Sequence, residues 1–136
     1  MPRPPVPPEL DALLARPCHA VIATVKPDGA PHTVATWYLW EGGRVLVTMD
    51  AERRRLAFME REPRVSLTVI DPDDFYRHIS LRGRVVSLGP DVGLADSDRS
   101  AQHYFGRPYP LRDRPRVSAW IEIDLWHAWG PNQTVE

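Results

Sequence analysis

His19-Ala20-Val21-Ile22-Ala23-Thr24-Val25, then Lys26-Pro27-Asp28-Gly29-Ala30-Pro31, then His32-Thr33-Val34-Ala35-Thr36-Trp37-Tyr38-Leu39-Trp40 carries the architecture of this chain. Two runs rich in β-branched and small apolar residues flank a turn with a mechanism: proline presets φ and glycine accepts a positive φ. Such a pair reads as an antiparallel hairpin. Glu41-Gly42-Gly43 reverses the chain again, and Arg44–Met49 is a third strand. From Asp50 to Glu62 the period changes to that of a helix, with Leu56 and Met59 on one face and Pro63 as the stop.

Beyond it, Val65, Leu67 and Val69 alternate with Ser66 and Thr68, a half-buried strand that ends in the turn Asp71-Pro72-Asp73-Asp74. His78–Leu88 is the next strand, with Ile79, Leu81 and Val85 opposite His78, Ser80, Arg82 and Arg84. Gly83 in its middle marks a bulge or a close approach of backbone. Ser97 caps a short helix through Phe105 that Gly106 ends, and residues 107–116 form a basic loop broken by prolines. Val117–Trp129 is the last strand, with Ile121, Ile123 and Leu125 on one face and Trp120, Glu122, Asp124 and Trp126 on the other. At the other end, residues 2–8 are proline-rich and read as an extended, poorly ordered arm. Pro8 then opens a helix that buries Leu10, Leu13 and Leu14. Six strands, with one helix between the third and fourth, predict a mainly β fold: a small barrel forming a single domain over residues 9–136.

At 136 residues and 15.5 kDa, with 43% apolar and 26% charged residues, the chain has room for one core. Seventeen basic and 18 acidic residues balance to a net charge of −1, which argues against a general nucleic-acid binder. The single Cys18 excludes an intramolecular disulfide and fits a reducing, cytoplasmic setting. No apolar run approaches the ~20 residues that span a bilayer. The five histidines lack metal-ligand spacing, and neither a GxSxG elbow nor a glycine-rich phosphate loop is present. An enzyme built on this chain would therefore rely on a bound organic cofactor.

The segment Val47-Thr48-Met49-Asp50-Ala51-Glu52-Arg53-Arg54-Arg55 joins a strand end to a helix start. A helix N-terminus favours an anion, and three arginines there oppose ordinary helix stability, the kind of local conflict that marks function. Arg53 and Arg55 can converge on one phosphate, with the Thr48 hydroxyl as a further donor. The competing reading is a solvated arginine face paired with Glu60 or Glu62.

The runs Ala23-Thr24-Val25 with Asp28-Gly29 and Pro31, then Val47-Thr48, then Arg53-Arg54-Arg55-Leu56, then Glu62-Pro63-Arg64-Val65-Ser66 resemble the FMN-binding split-barrel superfamily. Within it they are most similar to the pyridoxamine-phosphate-oxidase-like branch that uses the deazaflavin coenzyme F-420. Arg55 stands where that family usually has lysine, and Glu62 replaces the common aspartate. The resemblance implies a six-stranded split barrel that forms a homodimer, with two cofactor sites at the subunit interface. It places the cofactor phosphate on Arg53 and Arg55, assisted by the backbone around Arg54 and by Thr48. It lays the ring system along His32, Thr33, Val34, Ala35, Val47 and Met49, and brings Phe75 and Tyr76 from the other subunit.

Five tryptophans (Trp37, Trp40, Trp120, Trp126 and Trp129) on strands with two apolar-looking faces also point to a second subunit. Two function classes follow. One is an oxidoreductase passing a hydride from reduced F-420, or from FMN, to an electron-poor small molecule, with the proton from solvent, His32 or Tyr38. In that case Arg107, Arg112, Arg114 and Arg116 attract the acidic tail of F-420. The other is a non-catalytic carrier of a flavin, deazaflavin or tetrapyrrole. A metal, a nucleic acid or a membrane is expected in neither.

Overall fold

The computed structural model describes residues 1–130 and the backbone of 133–135; the expected domain end at residue 136 lies outside them. The elements run α1 (Pro8–Leu14), β1 (His19–Val25), β2 (Pro31–Thr36), β3 (Leu39–Glu41), β4 (Arg44–Asp50), α2 (Arg54–Arg61), β5 (Arg64–Asp71), β6 (Asp74–Pro90), a 3-10 turn (Val92–Leu94), α3 (Ala95–Phe105), β7 (Arg116–Gly130) and β8 (Gln133–Val135). All strands pair antiparallel in one sheet of order β2-β1-β5-β6-β7-β4-β3, with β8 on β7. Strands β1 and β4 stand four places apart in that order, yet Ala20 and Ile22 share one buried cluster with Val45, Val47 and Met49. The sheet is therefore curled around its core, and its edges, β2 and β3–β4, do not pair: a split barrel. The helices α1 and α2 add Leu10, Leu13, Leu14, Leu56 and Met59 to the same core.

Among the described residues eight strands replace the expected six. The run expected to be continuous over His32–Trp40 breaks at Trp37-Tyr38, because the Tyr38 side chain turns into the core, where its hydroxyl donates to the Leu14 carbonyl at 2.8 Å. Gly83 fulfils its expectation twice over. A Cβ there would overlap the carbonyl oxygen of Glu122, and the β6–β7 register shifts beside it. Arg82 faces Leu125 while Gly83 faces Ile123, so Asp124 is an extra residue in β7. One inserted residue reverses the alternation. Hence Ile121 and Ile123 point inward before it, and Trp126, expected outward beside Trp120, points inward after it and is 4% exposed. The proline-rich segment, expected to be loose, is held there too: the Trp126 backbone N–H donates to the Pro2 carbonyl at 2.9 Å and its Nε1 to the Arg3 carbonyl at 3.1 Å.

Candidate cofactor site

The opening of the barrel lies between β2 and β4. Strand β3 covers only Arg44–Leu46 of β4, so Val47–Asp50 present an unpaired edge on that side. Helix α2 sits at this opening. Its Phe58 meets the His32 ring of β2 edge-on at 5.5 Å, and its Arg55 Nη2 donates to the Thr48 carbonyl of β4 at 3.3 Å. The turn Ala51–Arg53 that leads into the helix is tied down by Ala51 N–H on the Pro115 carbonyl and Arg53 N–H on the Asp50 carbonyl, both at 3.0 Å.

Arg55 is 9% exposed, and among the described residues no carboxylate lies within ion-pair distance of it, of Arg53 or of Arg54. Its Nε is buried with no hydrogen-bond partner among the described residues. Burial, with Arg53 and Arg116 nearby, pushes the guanidinium down to about 10. A buried cation without a counter-charge is unfavourable and calls for an anion. The first turn of α2 carries no acidic residue and no side-chain cap, so its N–H donors and dipole add to the same positive field. The alternative pairing fails: Glu62 binds Arg64 at 2.6 Å, and Glu60 makes no ion pair among the described residues.

Beside Arg55, Thr48 is also buried, and its hydroxyl oxygen accepts from Arg116 Nη2 at 3.1 Å. Arg116 further donates Nη1 to Asp50 at 2.7 Å and to the Tyr109 hydroxyl at 2.8 Å, and Nε to Ser97 Oγ at 2.8 Å. Arg116 was expected only in the loop; the register pairing Asp50 with Arg116 and Thr48 with Ser118 sets it across from the site. No sequence signal separates it from the arginines before it.

The other expected residues divide. Val47 and Met49 turn their side chains into the core, 0% and 1% exposed, which leaves only their backbone on the free edge. Val34 packs against that core, while Thr33 and Ala35 alternate outward and exposed. His32 is half-buried, with Nδ1 unpartnered; its cross-strand neighbour Thr24 is buried with Oγ1 likewise unpartnered. Tyr38 is corrected as a proton donor, since burial pushes its phenol far up and its hydroxyl is committed to α1. Phe75 and Tyr76 stand at the start of β6, 74% and 67% exposed. Three of the four loop arginines do not form a free patch: Arg112 binds Asp98 at 2.7 Å, Arg114 lies 3.6 Å from Asp50, and Arg116 is enclosed, whereas Arg107 is exposed and makes no ion pair among the described residues. Among the described residues no cluster of His, Cys, Asp or Glu is placed to hold a metal ion, and no helix is long and apolar enough to cross a membrane.

The family profile described as pyridoxamine 5'-phosphate oxidase matches residues 6–130. This chain belongs to that family. Among solved structures it is similar to an F420 reductase, with 31% identity over 89% of this chain and 98% of the other and a TM-score of 0.81. A conserved hypothetical protein from Mycobacterium tuberculosis shares 22% identity over 98% of this chain and 94% of its own, at a TM-score of 0.75. An FAD-binding protein from Mesorhizobium loti shares 20% identity over 88% and 91%, at 0.65. The last two likenesses concern the fold alone. Among curated proteins none matches the chain. The family match and these neighbours agree with the fold described above.

Proposed function

We propose that this chain is an F-420-dependent oxidoreductase that passes a hydride to an electron-poor small molecule. The observation that carries the reading is Arg55: a buried guanidinium with, among the described residues, an idle Nε and no carboxylate, at the start of a helix, beside the open edge of β4. That donor set suits a phosphate ester, which takes charge-assisted bonds from Arg55, Arg53 and the Thr48 hydroxyl. His32 and Thr24, with their unpartnered buried atoms on the inner side of the opening, suit the polar rim of a ring. When bound, the deazaflavin supplies the hydride chemistry. The chain's own residues anchor the phosphate, orient the ring along β2 and keep water from its inner side. A proton for the product comes from solvent or from His32, which is half-buried against Phe58.

The reading includes a homodimer. Phe75, Tyr76, Val21 and Trp129 are exposed apolar side chains in a chain of this size, and a second copy covering them would close the open side of each site. The similarity to an F420 reductase favours F-420 over FMN.

The test is oxidation of reduced F-420, followed by absorbance, with a panel of conjugated alkenes, imines and quinones. Turnover that needs the protein and an acceptor is the expected result. Saturable binding without turnover would make the chain a carrier instead.

A further inference from the structure

Arg116 lies outside the phosphate motif at the start of α2, yet all three of its nitrogens are committed and its guanidinium carbon lies 4.2 Å from the centre of the Tyr109 ring. Building on the F-420 reading, we infer that Arg116 is a positioning residue for the cofactor phosphate: it fixes the Thr48 hydroxyl as a donor and holds the turn that presents Arg53.

A threonine hydroxyl has a single hydrogen on a freely rotating bond. With Arg116 Nη2 donating to its oxygen, that hydrogen turns away from the guanidinium and is left for an anion. The hydroxyl arrives as a preset donor rather than one that must choose between accepting and donating. Asp50 receives Nη1 of the same guanidinium, and its carbonyl receives the Arg53 N–H, so one side chain braces both ends of the phosphate cradle. The Asp50 carboxylate also neutralises Arg116, which leaves Arg55 as the cation that needs a partner.

From the other side, Arg116 is held by α3. Its Nε donates to Ser97 Oγ, and Ser97 donates its own N–H and O–H to Asp91 at 2.8 and 2.7 Å. Asp91, 7% exposed, takes the Asp96 N–H on its other oxygen. The chain Asp91–Ser97–Arg116–Thr48 therefore joins the N-terminus of α3 to the site through buried hydrogen bonds. Only the planar fork of arginine reaches Ser97, Asp50, Tyr109 and Thr48 together; an ammonium is a point charge.

The preference for a phosphate is read by fluorescence titration in two pairs, FMN against riboflavin and F-420 against its ring–ribityl fragment, and the pair that the wild type binds more tightly decides. Arg116→Lys, Arg116→Gln and Thr48→Val should each lower that preference by about tenfold or more, the size of one charge-assisted hydrogen bond, with affinity for the phosphate-free member unchanged. Arg116→Gln combined with Thr48→Val should lose less than the product of the single losses, because one side chain acts through the other. Lysine should not rescue the preference. Where Arg116→Gln does not fold, Arg116→Lys and Thr48→Val decide alone. An unchanged preference in folded Arg116→Lys, or fully multiplicative losses, overturns this inference and leaves the proposed function standing. A wild-type chain that binds neither F-420 nor FMN overturns both.

Discussion

Arg53 and Arg55 at the start of α2, and Arg112, Arg114 and Arg116 before β7, are the same side chains in similarly basic stretches of sequence. In the folded chain each member of the second group has a carboxylate within ion-pair distance, Arg114 and Arg116 sharing Asp50. Arg112 meets Asp98, 14 residues away, and Arg116 meets Asp50, 66 residues away. The first group meets no carboxylate among the described residues, although Glu52 and Glu60 are its near neighbours in sequence. What an arginine run does is thus set by which carboxylates the topology carries to it from a distance. The paired group holds the loop on the barrel; the unpaired group is left with a charge to satisfy.

The contrast can be broken most forcefully at Arg55. Arg55→Met should weaken F-420 binding by about tenfold or more, since it removes a charge-assisted contact, while thermal unfolding stays level or stability rises by about 1 kcal/mol. A melting point that falls while affinity holds would make Arg55 structural. Asp50→Ala probes the paired group in the opposite sense. It strips Arg116 of its carboxylate and should cost about 1–3 kcal/mol in denaturant unfolding. A variant as stable as the parent would show that the network contributes little.

A finer distinction lies in pH. The Arg55 guanidinium sits at about 10 in the fold against an ordinary 12.5, chiefly through burial and then through Arg53 and Arg116. Between those values the unfolded chain binds more protons, so the penalty present at neutral pH is relieved as pH rises through about 10. The stability gap between the parent and Arg55→Met should close over that range, and a constant gap in urea titrations at pH 8 and 10.5 would count against the buried cation. The smallest effect belongs to Arg112→Ala. This exposed side chain pairs on the surface, and its loss should leave F-420 affinity unchanged, whereas a weakened complex would restore the loop as a tail-binding patch.

Local signals were legible. The hairpin at Pro27–Gly29, the close approach at Gly83 and the arginine-rich start of α2 each follow from the stereochemistry or charge of a few adjacent residues. Hidden features were those decided by partners far along the chain. The extra residue at Asp124 that turns Trp126 inward looks like uninterrupted alternation until β6 is laid beside it. The break at Trp37-Tyr38 depends on carbonyls at the end of α1. Val47 and Met49 lie in the right strand for the site, but the curl of the sheet turns their side chains to the core. Arg116 differs from Arg112 and Arg114 only in the register that sets it opposite Asp50.

The role of the unpaired arginines is tested most directly by titrating F-420 and FMN in parallel against the parent chain and against Arg53→Ala combined with Arg55→Ala. Saturable binding to the parent, tighter for F-420, and a loss of more than about a hundredfold in a variant that stays folded are predicted, as two charge-assisted contacts require. Equal affinities in parent and variant for both ligands would contradict it.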